Sequence, residues 1–359
     1  MNKHVFVIIP ADVCNLSCSF CCVGKCEGSS SSMMTIENAT KYSDIIVRYI
    51  IKHNIKHIEF MFFGGEPLLN FDAVKIFLQA VSDSNKKYVI PKSIDITMFT
   101  NGTVNTPEYI KFINTLNENH PIFKNEIQFS YDGPTHLVST ISEKTNLDFM
   151  KNAIELISGN EYHDVKCMIV ISNHNVDNFF ELFKFLHKEN ILNYIIFRID
   201  IENPNYVRLG EILLPQLQLI VDYIKKNPEI CNGKIITRLF GRYLDDGPLS
   251  VCMSGTRAVG ISANGILCGC HHDAVVINNR LSKRLYPKLK SVEDIENYTD
   301  LSFSEDWYQI GKDGHAEYED ICPAHYEKVK DDPDRKEFFR KVHEIVKQLD
   351  EGDKEEEER

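Results

Sequence analysis

An α/β fold with a parallel sheet is what the sequence predicts, on three observations. Short apolar runs alternate with segments of helical period through the first 200 or so residues. Glycine- and cysteine-bearing motifs fall just after four of those runs. Beyond Asn227 the alternation stops, glycine becomes frequent and cysteines reappear. Strands that alternate with helices imply parallel strands joined by right-handed crossovers.

The elements follow in order. Val5-Phe6-Val7-Ile8-Ile9 reads as a strand. Thr35 to His53 places Ile36, Ala39, Tyr42, Ile45, Ile46, Tyr49 and Ile50 on one helical face. Strand His57–Phe63 precedes a helix marked by Val74, Phe77, Leu78 and Val81. Strand Ile94–Phe99 precedes one marked by Tyr109, Ile110, Ile113 and Leu116. Ile127, Phe129 and Tyr131 alternate as in a strand, and helix 147–157 follows. Strand Lys166–Ile171 leads to the helical face of Val176, Phe179, Phe183 and Leu186. The last unit is strand Tyr194–Asp200, then a helix that Pro215 opens and that runs to about Lys226. Six such units are too few for the eight-unit closed barrel. The predicted domains are residues 1–227, a smaller one over 228–330, and 331–359, a helix over Asp334–Leu349 with an acidic tail. Such a charge block is usually disordered.

Cys14, Cys18 and Cys21, in a C-x3-C-x2-C spacing after the first strand, are the most informative stretch. Four ligands usually complete a [4Fe–4S] cluster, so three thiolates leave one iron open to a small molecule. A zinc site wants four nearby ligands in C-x2-C pairs. Cys22 and Cys26 can add sulfur, but only at irregular spacing. Phe60-Met61-Phe62-Phe63-Gly64-Gly65-Glu66-Pro67 is a strand running into a turn whose glycines let backbone approach a ligand. Thr100-Asn101-Gly102-Thr103 follows the third strand and Ser130-Tyr131-Asp132-Gly133-Pro134 ends the fourth. All four motifs therefore lie on one rim, where parallel α/β folds carry their sites.

Together the motifs resemble the radical S-adenosylmethionine (SAM) superfamily, and within it the branch that modifies peptides and proteins, including anaerobic sulfatase-maturating enzymes. The resemblance implies a partial (β/α)6 TIM-like barrel with a smaller C-terminal iron–sulfur domain. It implies a [4Fe–4S] cluster on Cys14, Cys18 and Cys21 whose open iron binds SAM. Gly64, Gly65 and Glu66 then contact the SAM amino group, Ser130 its carboxylate or ribose, and Phe20 packs near the adenine. Ser172 is a second polar contact or a helix N-cap. Asn101 belongs to the same rim or is simply the turn residue of an Asn-Gly pair.

Cys252, Cys268, Cys270 and Cys322 resemble the opening of the SPASM or twitch extension, which implies one auxiliary [4Fe–4S] cluster on these four, or with His271, His272 or His325 in place of Cys268 or Cys270. Ile261–Leu267 reads as a hairpin with Asn264-Gly265 at its turn. The chain runs out of cysteines before a full extension is complete. Sulfatase-maturating enzymes pair the second auxiliary cysteine with an aspartate that removes a substrate proton. Here His271-His272-Asp273 follows Cys270, so His271 or Asp273 is the candidate base.

The net charge of −12 opposes nucleic acid, since phosphate binding relies on clustered Lys and Arg. No apolar run is long enough to span a bilayer. Eleven cysteines without a signal peptide point to metal rather than disulfides, and so to a cytoplasmic enzyme. The implied partners are a peptide or protein substrate, a separate leader-recognition protein, and an electron donor such as flavodoxin or ferredoxin. The competing readings are the same radical chemistry on a small metabolite and a non-catalytic iron–sulfur electron carrier.

Overall fold

A computed structural model describes residues 3–16, 33–88, 93–119, 122–134, 147–173, 175–199, 205–227, 229–230, 258–268, 291–297 and 332–349. Cys18, Phe20, Cys21, Cys252, Cys270, His271, His272, Asp273, Cys322 and His325 lie outside the described residues, and of Cys268 only the backbone is described.

The strands are β1 (Lys3–Ala11), β2 (His57–Gly64), β3 (Ser93–Thr100), β4 (Phe123–Ser130), β5 (His163–Ile171), β6 (Ile195–Ile199), β7 (Ala258–Ile261) and β8 (Leu267–Cys268). The helices are α1 (Ile36–Lys52), α2 (Phe71–Tyr88), α3 (Thr106–Asn119), α4 (Leu147–Ile157), α5 (Phe179–Lys188), α6 (Tyr206–Lys226) and α7 (Pro333–Lys347). The fold class is α/β, with the six successive strand–helix units of a partial (β/α)6 barrel. Among the described residues no helix is long and apolar enough to cross a membrane.

The chain folds into two compact units. The first comprises Met1–Ser130, Lys144–Val165 and Met253–Tyr308. In it β4, β3, β2 and β1 pair in parallel, in that order. Phe6, Ile8, Ile58, Phe60, Phe62, Ile94, Ile96 and Met98 form the face buried beneath helices. Tyr49 of α1 meets Phe6 edge-on at 6.3 Å between ring centroids. Each such fully buried side chain stabilises by roughly 1.5–3 kcal/mol. The opposite face carries Val5, Val7 and Ile9 beside Met61 and Phe63, and polar Glu59, Asp95, Thr97 and Gln128. α1 starts at Thr35, whose hydroxyl accepts the Asn38 N–H at 3.1 Å.

Strand β7 adds to this unit in parallel with β1, from Val5 opposite Ala258 to Ile8 opposite Ile261. Its residues are all buried, the pattern of a strand covered on both faces. The hairpin read from the sequence is present: β8 pairs antiparallel with β7, and Gly265 at the turn has φ +77°. That the hairpin's first strand joins β1 is a tertiary feature that no local pattern in the sequence marks.

The second unit comprises Tyr131–Glu143, Lys166–Cys252 and Gln309–Arg359. Here β5 and β6 pair in parallel from Cys167 opposite Ile195. Phe179 of α5 meets Phe197 of β6 edge-on at 4.9 Å. Phe338 of α7 packs on Tyr206 of α6 and lies so near Gly210 that an added Cβ there would sit 3.2 Å away. Pro215 does not open α6 as its residue type predicts. The helix begins nine residues earlier, capped by Asn205, whose side chain accepts the Arg208 N–H at 2.9 Å, and continues through the proline. Buried Tyr206, Leu209 and Leu213 carry the first part of the helix, and tertiary packing outweighs the missing backbone donor.

Candidate cofactor site

Both ends of the cysteine-bearing segment are fastened at the C-terminal end of β1. Ala11 forms an isolated bridge with Met33, and the Met34 N–H donates to the Pro10 carbonyl at 2.8 Å. Asn70 clamps the same place, its amide donating to the carbonyls of Pro10 and Met34 at 2.8 Å each. Cys14 sits just past β1, half-buried.

The turn after β2 grips the backbone leading to Cys14. The Gly65 N–H donates to the Ala11 carbonyl and the Glu66 N–H to the Val13 carbonyl, both at 2.9 Å. Glycine is required twice here. Gly64 has φ +137°, and a Cβ on Gly65 would stand 2.2 Å from the Val13 oxygen and 2.9 Å from the Cys14 nitrogen. Both N–H groups are thus spent on the β1 loop, and the Glu66 carbonyl accepts the Leu69 N–H at 3.1 Å.

Glu66 turns its side chain inward. It is fully buried and accepts the Leu68 N–H at 3.0 Å, the Thr100 hydroxyl at 2.9 Å and the Asn101 N–H at 2.7 Å. Burial pushes its carboxyl up to about 7, against the pull of those three donors. It thus caps the short 3-10 turn Pro67–Asn70 and ties β2 to β3.

Asn101 closes the rim. Its Oδ1 accepts the Thr103 N–H at 2.9 Å and the Thr103 hydroxyl at 2.6 Å. Its Nδ2 donates to Cys14 Sγ at 3.6 Å and to Asn15 Oδ1 at 3.0 Å. Asn15 Nδ2 in turn donates to the Thr103 hydroxyl at 2.7 Å, and the Leu16 N–H points at Cys14 Sγ at 3.4 Å.

A sulfur met by N–H donors thus stands beside a double-glycine turn on the rim of a parallel sheet. Residues 8–186 match the radical SAM superfamily model. The chain carries a radical SAM domain. Among curated proteins, the radical SAM cyclopropyl synthase TigE of Paramaledivibacter caminithermalis is 28% identical over 120 residues, covering 31% of this chain. The match spans 24% of that relative's length. Among solved structures, native anSMEcpe with bound AdoMet and Kp18Cys peptide is 18% identical, covers 97% of this chain and 99% of that one, and has a TM-score of 0.61. Native anSMEcpe with bound AdoMet gives 17%, 96%, 99% and 0.58. At these identities the structures establish the fold.

A radical SAM domain implies a [4Fe–4S] cluster and SAM, and it requires an electron donor. The residues present fit the cluster: N–H groups aimed at Cys14 Sγ favour the thiolate that an iron needs. Of the other sequence-derived site residues, Ser130 is the last residue of β4 and is exposed. Ser172, buried after β5, opens a 3-10 turn through its main chain. Its N–H donates to Asn175 Oδ1 at 3.0 Å and its carbonyl accepts the Val176 N–H at 3.0 Å. Cys167 is a buried thiol in β5, as its apolar strand predicts, and burial pushes its pKa up.

Asn15 and Thr103 are site residues that the motifs alone did not single out. Asn15 follows the first cysteine and Thr103 completes the Thr-Asn-Gly-Thr turn, so both stood beside a recognised motif. Asp132 is 6% exposed and burial pushes its carboxyl up to about 7.

Proposed function

We propose that this chain is a radical SAM enzyme that abstracts hydrogen from a peptide or protein and so modifies it. The observation that carries the reading is Cys14 Sγ held by N–H donors beside the Gly64-Gly65-Glu66 turn. Cys14, Cys18 and Cys21 hold three irons of the cluster. The carbonyls of the glycine turn accept from the SAM ammonium, Ser130 and Ser172 reach its carboxylate or ribose, and Phe20 packs on the adenine. When bound, the cluster and SAM supply a 5′-deoxyadenosyl radical by one-electron reductive cleavage of the sulfonium, which also yields methionine. A flavodoxin or ferredoxin delivers the electron. Cys252, Cys268, Cys270 and Cys322 would hold one auxiliary [4Fe–4S] cluster, which would accept the electron of the substrate radical while His271 or Asp273 takes its proton. A cytoplasmic setting keeps such clusters from oxidation. The peptide reading draws on anSMEcpe, whose fold this chain shares and which is known with a Kp18Cys peptide bound.

The test is anaerobic reconstitution, reduction and assay for 5′-deoxyadenosine. The wild-type protein produces it from SAM, Cys18→Ala produces none, and Cys270→Ala retains slow cleavage with poor substrate turnover. A fully iron-loaded, reduced protein that leaves SAM intact overturns the proposal.

A further inference from the structure

The geometry points to Asn101 as a positioning residue that sets the reduction potential of the iron bound by Cys14. This rests on the reading that Cys14 is a cluster ligand.

The orientation of the Asn101 amide decides the matter, and the hydrogen bonds fix it. The Thr103 main-chain N–H can only donate, so the amide atom facing it at 2.9 Å must be the oxygen. The NH2 group therefore faces Cys14 Sγ and Asn15 Oδ1. The neighbours agree. Asn15 Oδ1 is taken by that NH2, so Asn15 Nδ2 turns to the Thr103 hydroxyl, which itself donates to Asn101 Oδ1. Three side chains close a ring of three hydrogen bonds, and the second N–H of the Asn101 amide is aimed at sulfur.

Asn101 is anchored from behind as well. Its main-chain N–H donates to buried Glu66, and Glu66 also takes the Thr100 hydroxyl. The Thr100 oxygen is free to accept the Gly102 N–H at 3.0 Å because its hydrogen points at Glu66. The side chain is 9% exposed. An amide locked this way costs little reorganisation when charge builds up on the sulfur.

A hydrogen bond to a cluster-ligating sulfur stabilises the more negative, reduced cluster and raises its potential. Asn101→Asp keeps the shape and the acceptor for Thr103, but it replaces the donor with a negatively charged oxygen near the thiolate. Asn101→Ala removes the donor without adding charge, and with it the acceptor for Thr103. Thr103→Val keeps the Thr103 N–H that orients Asn101, so the donor to sulfur survives.

The measurement is a redox titration of reconstituted full-length protein without SAM, followed by the electron paramagnetic resonance of the reduced cluster, with iron and sulfide assayed on each sample. The midpoint should move to more negative potential in Asn101→Ala, further in Asn101→Asp, and not at all in Thr103→Val. Equal midpoints in fully loaded wild type, Asn101→Ala and Asn101→Asp overturn the assignment. So does failure of both Asn101 variants to hold iron where Thr103→Val loads fully, since the residue is then a support for the loop. If Cys14→Ala holds iron and titrates like the wild type, the ligand reading fails instead, whatever Asn101 does.

Discussion

The first unit carries polar networks at both ends of the same strands, and they are built to opposite plans. At the C-terminal ends, Glu66, Asn101, Asn15 and Thr103 form a chain of hydrogen bonds that finishes on a cysteine sulfur. At the N-terminal ends, the polar groups close on one another. Lys3 pairs with Glu59 at 2.9 Å and Asp95 at 2.8 Å, and Thr97 donates to Glu59 at 2.8 Å. Nearby, His163 meets Asn125 at 2.9 Å and Asn114 at 2.6 Å, and Tyr109 donates to Asn125. A closed network fixes strand ends and has nothing left for a ligand. An open one keeps a donor directed at a group that changes its charge. The difference separates architecture from chemistry within one sheet.

The largest effect should come from Gly65→Ala. Its Cβ meets backbone, not a flexible side chain, so the Val13–Cys14 segment has to move. Loss of most of the bound iron after reconstitution is expected, with about 1–3 kcal/mol of destabilisation from overpacking. Full iron content with unaltered SAM cleavage would show that the turn does not position the loop.

Asn125→Ala breaks the closed network instead. A buried partner, the Tyr109 hydroxyl, and a half-buried one, a His163 nitrogen, lose their mate, for a cost of about 1–3 kcal/mol. Urea denaturation measures this, and the folded variant should still load iron normally. A variant with unchanged stability but impaired loading would reverse the assignment of the two ends.

The two ends should also differ in pH dependence. Burial pushes Glu66 up to about 7 from an ordinary 4.5, so the native state keeps a proton that the unfolded chain releases. Its contribution is complete below about 4.5 and is lost as pH rises through 7, a fall of roughly 1–3 kcal/mol. Burial holds His163 down to about 4 from 6.5, so the unfolded chain binds a proton that the native state refuses. That contribution is complete above 6.5 and is lost as pH falls toward 4. Glu66→Gln should flatten the decline between pH 5 and 7, and His163→Asn the decline on the acid side. Parallel stability–pH curves for wild type and both variants would refute this.

Lys3→Met should have the smallest effect, about 1 kcal/mol near neutral pH, because the lysine is partly exposed and solvent screens both pairs. Thermal melts at low and high salt give the measurement, and iron loading should not change.

Much of this was legible in sequence because it is local. Helical and strand periodicities over Val5–Ile9, Thr35–His53 and the runs that follow recur in the structure with boundaries shifted by a few residues. The double glycine announced its close approach, since no other residue tolerates that spacing. Three features were not legible. The Ile261–Leu267 run shows a hairpin but not the strand it joins, because β1 lies far away in sequence. Pro215 signals a helix start by residue type, yet apolar packing upstream extends the helix through it. The inward turn of the Glu66 side chain, which braces β2 against β3, is not written in its motif.

The sequence by itself determined the α/β alternation, the three-cysteine spacing and the glycine turn, all set by side-chain period and backbone sterics over a few neighbouring residues. Only the tertiary structure decided that the third-strand turn reaches the first cysteine, that Glu66 points inward, and that a distant hairpin completes the sheet edge. Those depend on contacts between segments remote in the chain, where position in space, not order in sequence, sets which donor meets which acceptor.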